Sequence, residues 1–128
     1  GPMCAPNIFR TSFSNWQPAY PLGKVMMDKG HKSAVWISWK YAAGEEAGQG
    51  FREGFEKAGG KVVKDLWVPF PQVEFQALLT EIASIKPDAV VAFFAGGGAA
   101  NVWLTLVHAN LLGNHLCDLA AAAGSCAS

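Results

Sequence analysis

Val73-Glu74-Phe75-Gln76-Ala77-Leu78-Leu79-Thr80-Glu81-Ile82-Ala83-Ser84-Ile85-Lys86-Pro87-Asp88-Ala89-Val90-Val91-Ala92-Phe93-Phe94-Ala95-Gly96-Gly97-Gly98 decides the fold. Phe75, Leu78, Leu79, Ile82 and Ile85 recur at helical spacing and predict an amphipathic helix. Lys86-Pro87-Asp88 is a turn. Residues 89–94 are apolar on both faces, as a parallel strand covered by helices is. Ala95-Gly96-Gly97-Gly98 then forms a glycine loop at the strand's carboxyl end. Helix, turn, buried strand and loop together are the repeating unit of an open parallel α/β sheet, whose ligands sit beside such loops.

Working outward, the same unit recurs. Residues 33–39 read as a strand, apolar on both faces, and residues 61–68 as another, with Val62 or Val63 turned inward. A helix is expected between them over residues 44–58, with Ala47, Phe51, Phe55 and Ala58 on one face and Gly59-Gly60 as its stop. Upstream, Ile8-Phe9-Arg10-Thr11 reads as a short strand. Ser14 or Asn15 caps a helix that ends at Lys29, with Pro18 in its first turn and Pro21 predicting a bend or a late start. Pro69-Phe70-Pro71 breaks the chain after residue 68, and a last helix is expected over residues 101–112. Strands alternating with helices demand parallel pairing through right-handed crossovers. The expected fold class is therefore α/β, a three-layer α/β/α lobe on a mostly parallel sheet. Residues 4–114 are assigned to that lobe. Gly1-Pro2-Met3 reads as a tag remnant, and residues 115–128 as an atypical tail ending in Gly124-Ser125-Cys126-Ala127-Ser128.

Composition narrows the function. The 128 residues carry 51% hydrophobic and 16% charged side chains and no formal net charge, a composition that folds and has no attraction for phosphate backbones or anionic lipid. Nucleic acid and direct membrane insertion are excluded as expectations, and no signal peptide is visible. The three cysteines, Cys4, Cys117 and Cys126, are too far apart for a metal site. His31, His108 and His115 lie in no ligand spacing with Cys, Asp or Glu, so neither metal nor cofactor is expected.

No constellation of catalytic residues stands out. Ser12, Ser14 and Ser38 lack the Gly-x-Ser-x-Gly setting of a hydrolase nucleophile. The pairs Glu45-Glu46 and Glu53/Glu56 read as a solvated helix face. The glycine loop has neither Gly-x-Gly-x-x-Gly spacing nor a following Lys-Ser/Thr, so it lacks the signature of a nucleotide loop. It serves either as the backbone-lined edge of a small-molecule cleft or as a plain turn. Tyr41, at a strand's carboxyl end with Trp39 on the same edge, either walls a pocket or packs under the loop.

The residues converge on a family resemblance. Phe9-Arg10-Thr11-Ser12, Trp39-Lys40-Tyr41-Ala42-Ala43-Gly44, Gly50-Phe51, Gly59-Gly60-Lys61-Val62-Val63, Phe75-Gln76-Ala77-Leu78-Leu79, Lys86-Pro87-Asp88-Ala89-Val90 and Phe94-Ala95-Gly96-Gly97 stand in an order that resembles the second lobe of a type I periplasmic binding protein. The similarity is to the substrate-binding component of branched-chain amino-acid ABC transporters and their aromatic-acid-binding relatives, and it covers residues 7–100. It implies two lobes closing on a small ligand across a hinge, delivery to a membrane permease, no catalysis, and a periplasmic location for the parent protein. It further implies ligand contacts from Tyr41, from Phe94, Ala95, Gly96 and Gly97, and from Ser12, Ser14 and Asn15 in the segment entering from the hinge. Residues 101–128 do not show the Lys-rich helix, further strand and hinge return that the family pattern calls for.

Three functional expectations follow. One lobe alone binds a branched-chain amino acid or small aromatic acid weakly or not at all, because affinity depends on enclosure. An open sheet edge invites homodimers by pairing or swapping. The alternative is a small flavodoxin-like domain that binds a nucleotide or flavin, which the topology also permits.

Overall fold

The computed structural model describes residues 6–7, 9, 11–72 and 74–108. In chain order it contains α1 (Trp16–Asp28), β1 (Ser33–Trp39), α2 (Ala42–Lys57), β2 (Lys61–Val68), α3 (Gln76–Ile85), β3 (Ala89–Phe93) and α4 (Gly97–His108). The three strands are all parallel, in the order β2-β1-β3. β1 is thus central. The chain leaves it through α2 to reach β2 on one side, then crosses through α3 to β3 on the other.

β1 is buried along almost its whole length because both its faces are covered. Ala34 and Trp36 face a layer built from Ala19 and Met26 of α1 and Ala47, Phe51 and Phe55 of α2. Val35, Ile37 and Trp39 face Phe75, Leu79 and Ile82 at and within α3, and Val102 of α4. The alternation of a pleated strand thereby sorts one sequence into two cores and three layers. Each fully buried Phe or Leu contributes about 1.5–3 kcal/mol of transfer free energy.

β2 resolves the ambiguity between Val62 and Val63 in an instructive way. Ala34 pairs with Val62, but Val35 pairs with Lys64, so Val63 bulges out and is 40% exposed. One extra residue reverses the pleat downstream. Val62 accordingly joins the α1/α2 core, whereas Leu66 and Val68, at the same parity, join the α3 core.

α1 and α2 touch backbone to backbone. A Cβ on Gly54 would lie 2.0 Å from the Tyr20 carbonyl oxygen, one on Gly23 2.2 Å from the Phe55 nitrogen, and one on Gly50 2.7 Å from the Trp16 carbonyl oxygen. Only glycine permits that approach.

Several boundaries differ from expectation. Ile8 and Arg10 lie outside the described residues, and Phe9 and Thr11 belong to no strand. Pro21 sits inside α1, which neither starts late nor reaches Lys29. α2 begins two residues early, at Ala42, with Tyr41 as its N-cap. The largest difference is α4, expected from residue 101 but starting at Gly97. Gly98 is buried there, and a Cβ on it would lie 2.2 Å from the Trp39 ring, so the glycine serves close packing against a helix rather than an open loop. Residues 109–128, with the expected helix end and tail, lie outside the described residues.

Candidate functional site

In a parallel sheet of this topology the crevice opens at the carboxyl edge where successive connections leave the central strands in opposite directions. Here that point lies between β1 and β3. α2 starts from the end of β1 and α4 from the end of β3, on opposite faces, so two helix N-termini flank the crevice.

Each of the three strands is followed within two residues by an aromatic: Tyr41 after β1, Phe70 after β2, Phe94 after β3. The rings meet over Trp39. Trp39 packs edge to face with Phe70 at 5.1 Å and Phe94 at 5.2 Å, and with Tyr41 at 6.3 Å. Trp39 is itself only 6% exposed, so it is the floor beneath Tyr41 rather than a second wall. Its indole N–H donates to the Gln72 carbonyl oxygen at 2.7 Å, which ties the loop after β2 to the end of β1. Tyr41 stacks on Phe70 at 5.9 Å and on Phe93 at 6.4 Å. Partial burial among these rings raises its phenol above the ordinary tyrosine value.

The glycine loop is now shorter than the sequence implied. Ala95 and Gly96 form it, with Gly96 at φ +55, and Gly97 opens α4. Gly98 donates to Ala95 O and Ala99 to Gly96 O, closing the first turn. Among the described residues, chain neighbours and the helix's own backbone apart, no heavy atom lies within 4 Å of the position a Cβ on Gly96 or Gly97 would take, so this backbone faces open space there.

Ser12, Ser14 and Asn15 lie on the segment that leads into α1. Ser12 is exposed; Ser14 donates its backbone N–H to Gln17 Oε1 at 2.8 Å. Asn15 directs both its backbone N–H and its side-chain amide to Glu46 Oε2, each at 3.2 Å, and makes no side-chain cap. Asn15 therefore anchors the entering segment on the first turns of α2. Of the expected residues, the fold brings Tyr41 and Phe94 together around Trp39, with Ala95, Gly96 and Gly97 continuing from Phe94. Phe70 was missed, because Pro69-Phe70-Pro71 reads as a strand break. The available signal was a large ring held between two prolines at a strand's carboxyl end. Among the described residues no group of three or more His, Cys, Asp or Glu is placed to hold a metal ion, and no helix is long and apolar enough to cross a membrane.

With the parallel sheet, the switch-point crevice and its aromatic wall in place, comparison with known proteins identifies the family. The chain belongs to the periplasmic binding protein family, whose model matches residues 1–123, past the point where the resemblance in sequence ended. It is 54% identical to a solute-binding protein of an ABC transporter from R. palustris solved in complex with benzoate, with a TM-score of 0.80, covering 85% of this chain and 30% of that one. A second R. palustris solute-binding protein, solved with 4-hydroxybenzoate, is 29% identical with a TM-score of 0.78, over 84% of this chain and 29% of that one. The Leu/Ile/Val-binding protein homolog 6 of Brucella abortus is 32% identical over 93 residues, which is 73% of this chain and 24% of the relative. The chain thus spans between 24% and 30% of the length of these proteins. The architecture is that of a type I periplasmic binding protein lobe, and the match favours the solute-binding reading over the flavodoxin-like one.

Proposed function

We propose that this lobe forms one wall of a solute-binding cleft for a small aromatic carboxylate, serving an ABC transporter from the periplasm and catalysing nothing. The observation that carries the reading is the meeting of Tyr41 and Phe94 over Trp39 at the switch point, beside the open backbone of Gly96 and Gly97. Aromatic rings accept a flat apolar ring by offset or edge-to-face contact. Helix N-termini favour an anionic group nearby. Residues 94–97 carry no acidic side chain, so this loop offers no counter-charge to the ammonium of an amino acid. The 54% identity to a benzoate-bound protein supports the aromatic acid over leucine or valine. Tyr41, Phe94, Ala95, Gly96 and Gly97 are the proposed contacts. Ser12, Ser14 and Asn15 are assigned to the cleft-side entry segment.

A single wall leaves most of a small ligand in water, so affinity of the 128-residue chain alone is weak. Titration calorimetry with benzoate, leucine and valine tests this. Millimolar or undetectable heats are expected, with benzoate ahead of the amino acids. Micromolar or tighter binding overturns the weak-binding reading; preference for leucine overturns the choice of an aromatic acid.

A further inference from the structure

Phe70 differs from the other rings of the wall. It is 61% exposed, whereas Trp39 beneath it and Phe75 nearby are 6% and 1% exposed. Yet it is held firmly. Its ring stacks on Tyr41 at 25° and stands on Trp39 at 85°. Prolines on both sides restrict the backbone. The Gln72 N–H closes the turn on Pro69 O at 2.8 Å, while the Gln72 carbonyl oxygen accepts from Trp39. The loop after β2 thus carries a large ring, in one orientation, over the end of β1 and leaves its outer face open. A pre-oriented ring meets a flat partner with little further loss of freedom.

We propose that Phe70 is a specificity-determining residue, whose open face receives the planar ring of the ligand and extends the Tyr41–Phe70 stack. This rests on the aromatic-acid reading above. The chemistry predicts a preference for a planar π-system over a saturated ring of similar size, because ring-on-ring contact adds to area burial.

The test compares benzoate with cyclohexanecarboxylate by saturation-transfer NMR on the whole chain at millimolar ligand. Because Phe70 is 61% exposed, Phe70→Ala and Phe70→Leu are expected to keep the wild-type circular dichroism spectrum, with a melting temperature lowered by no more than a few degrees through the lost ring contacts. Wild type is expected to favour benzoate. Phe70→Ala is expected to weaken benzoate by roughly two- to tenfold. Phe70→Leu is expected to remove the planar preference while leaving cyclohexanecarboxylate unchanged, and Phe70→Tyr to restore the preference. Benzoate bound equally by wild type and Phe70→Ala, with planar preference intact, overturns the role of Phe70 and leaves the aromatic-acid reading standing. Transfer to leucine but not benzoate in wild type, or to no ligand at all, overturns that reading and the role of Phe70 with it.

Discussion

The hydroxyl of the fully buried Ser38 donates to the Phe93 carbonyl oxygen across 2.9 Å, where the central strand meets β3. The Trp39 carbonyl oxygen lies within reach of the same hydroxyl at 3.1 Å. This polar pin holds the two strand ends that bracket the crevice. It fits because residue 44 is glycine, whose Cβ would lie 2.3 Å from the Ser38 oxygen and 2.6 Å from the Trp39 carbonyl oxygen.

Ser38→Ala should lower unfolding free energy in urea by about 1 kcal/mol, the usual net value of such a bond. Gly44→Ala should cost about 1–3 kcal/mol through overpacking. The double variant should lose less than the sum, because Ser38→Ala removes one of the two clashes. Strict additivity would show that the hydroxyl and the glycine do not depend on each other.

Two glycines should respond oppositely to the same change. Gly54→Ala forces a methyl against the Tyr20 carbonyl oxygen, with a cost of about 1–3 kcal/mol or more. Gly97→Ala meets open space at the first residue of α4, where alanine is the better helix former, and should be neutral or stabilising by a few tenths of a kcal/mol at most. Thermal melts of both variants check the contrast.

Asp88 gives the stability curve an acid limb. Its carboxylate accepts from the backbone N–H groups of Lys32 and Ser33 at 2.9 and 2.8 Å, and its own N–H donates to Ser33 Oγ at 3.0 Å. The Ser33 and Lys32 amides hold its pKa below the ordinary aspartate value. Its contribution is therefore complete above the unfolded value, roughly pH 4. It is lost as pH falls through the lower folded value. The stability difference between wild type and Asp88→Ala should be constant near neutrality and shrink in acid. A difference that persists unchanged in strong acid would show that the amides do not select the charged form.

Trp39→Phe keeps a ring in the floor but removes the donor to Gln72. Amide exchange at Gln72 should accelerate, while the Leu79 amide, bonded to Phe75 O in α3, should exchange as in wild type. Equal exchange at Gln72 would show that the indole does not hold that loop.

Much of this fold is legible in the sequence because its apolar runs are sharply punctuated. β1 and β2 fall at Ser33–Trp39 and Lys61–Val68, as the apolar runs and the glycines before them predict. The α4 start is not legible, because three consecutive glycines argue for a loop when only the proximity of the Trp39 ring explains Gly98. The inward residue of the Val62-Val63 pair is undecidable from alternation, since the bulge that decides it depends on pairing with β1. Of the proposed contacts, Tyr41 stands out by its place at a strand end, and Phe94 through the family resemblance. Phe70 does not, because its neighbours signal a break, and its contact with Tyr41 exists only once β2 lies beside β1.

Helices that meet through their backbones cannot roll or slide over each other as helices cushioned by side chains do. Gly23, Gly50 and Gly54 remove that cushion between α1 and α2, and Asn15 fastens the leading end of α1 to Glu46. The pair is therefore one tightly packed plate, with the entering chain at one corner and Tyr41 at another.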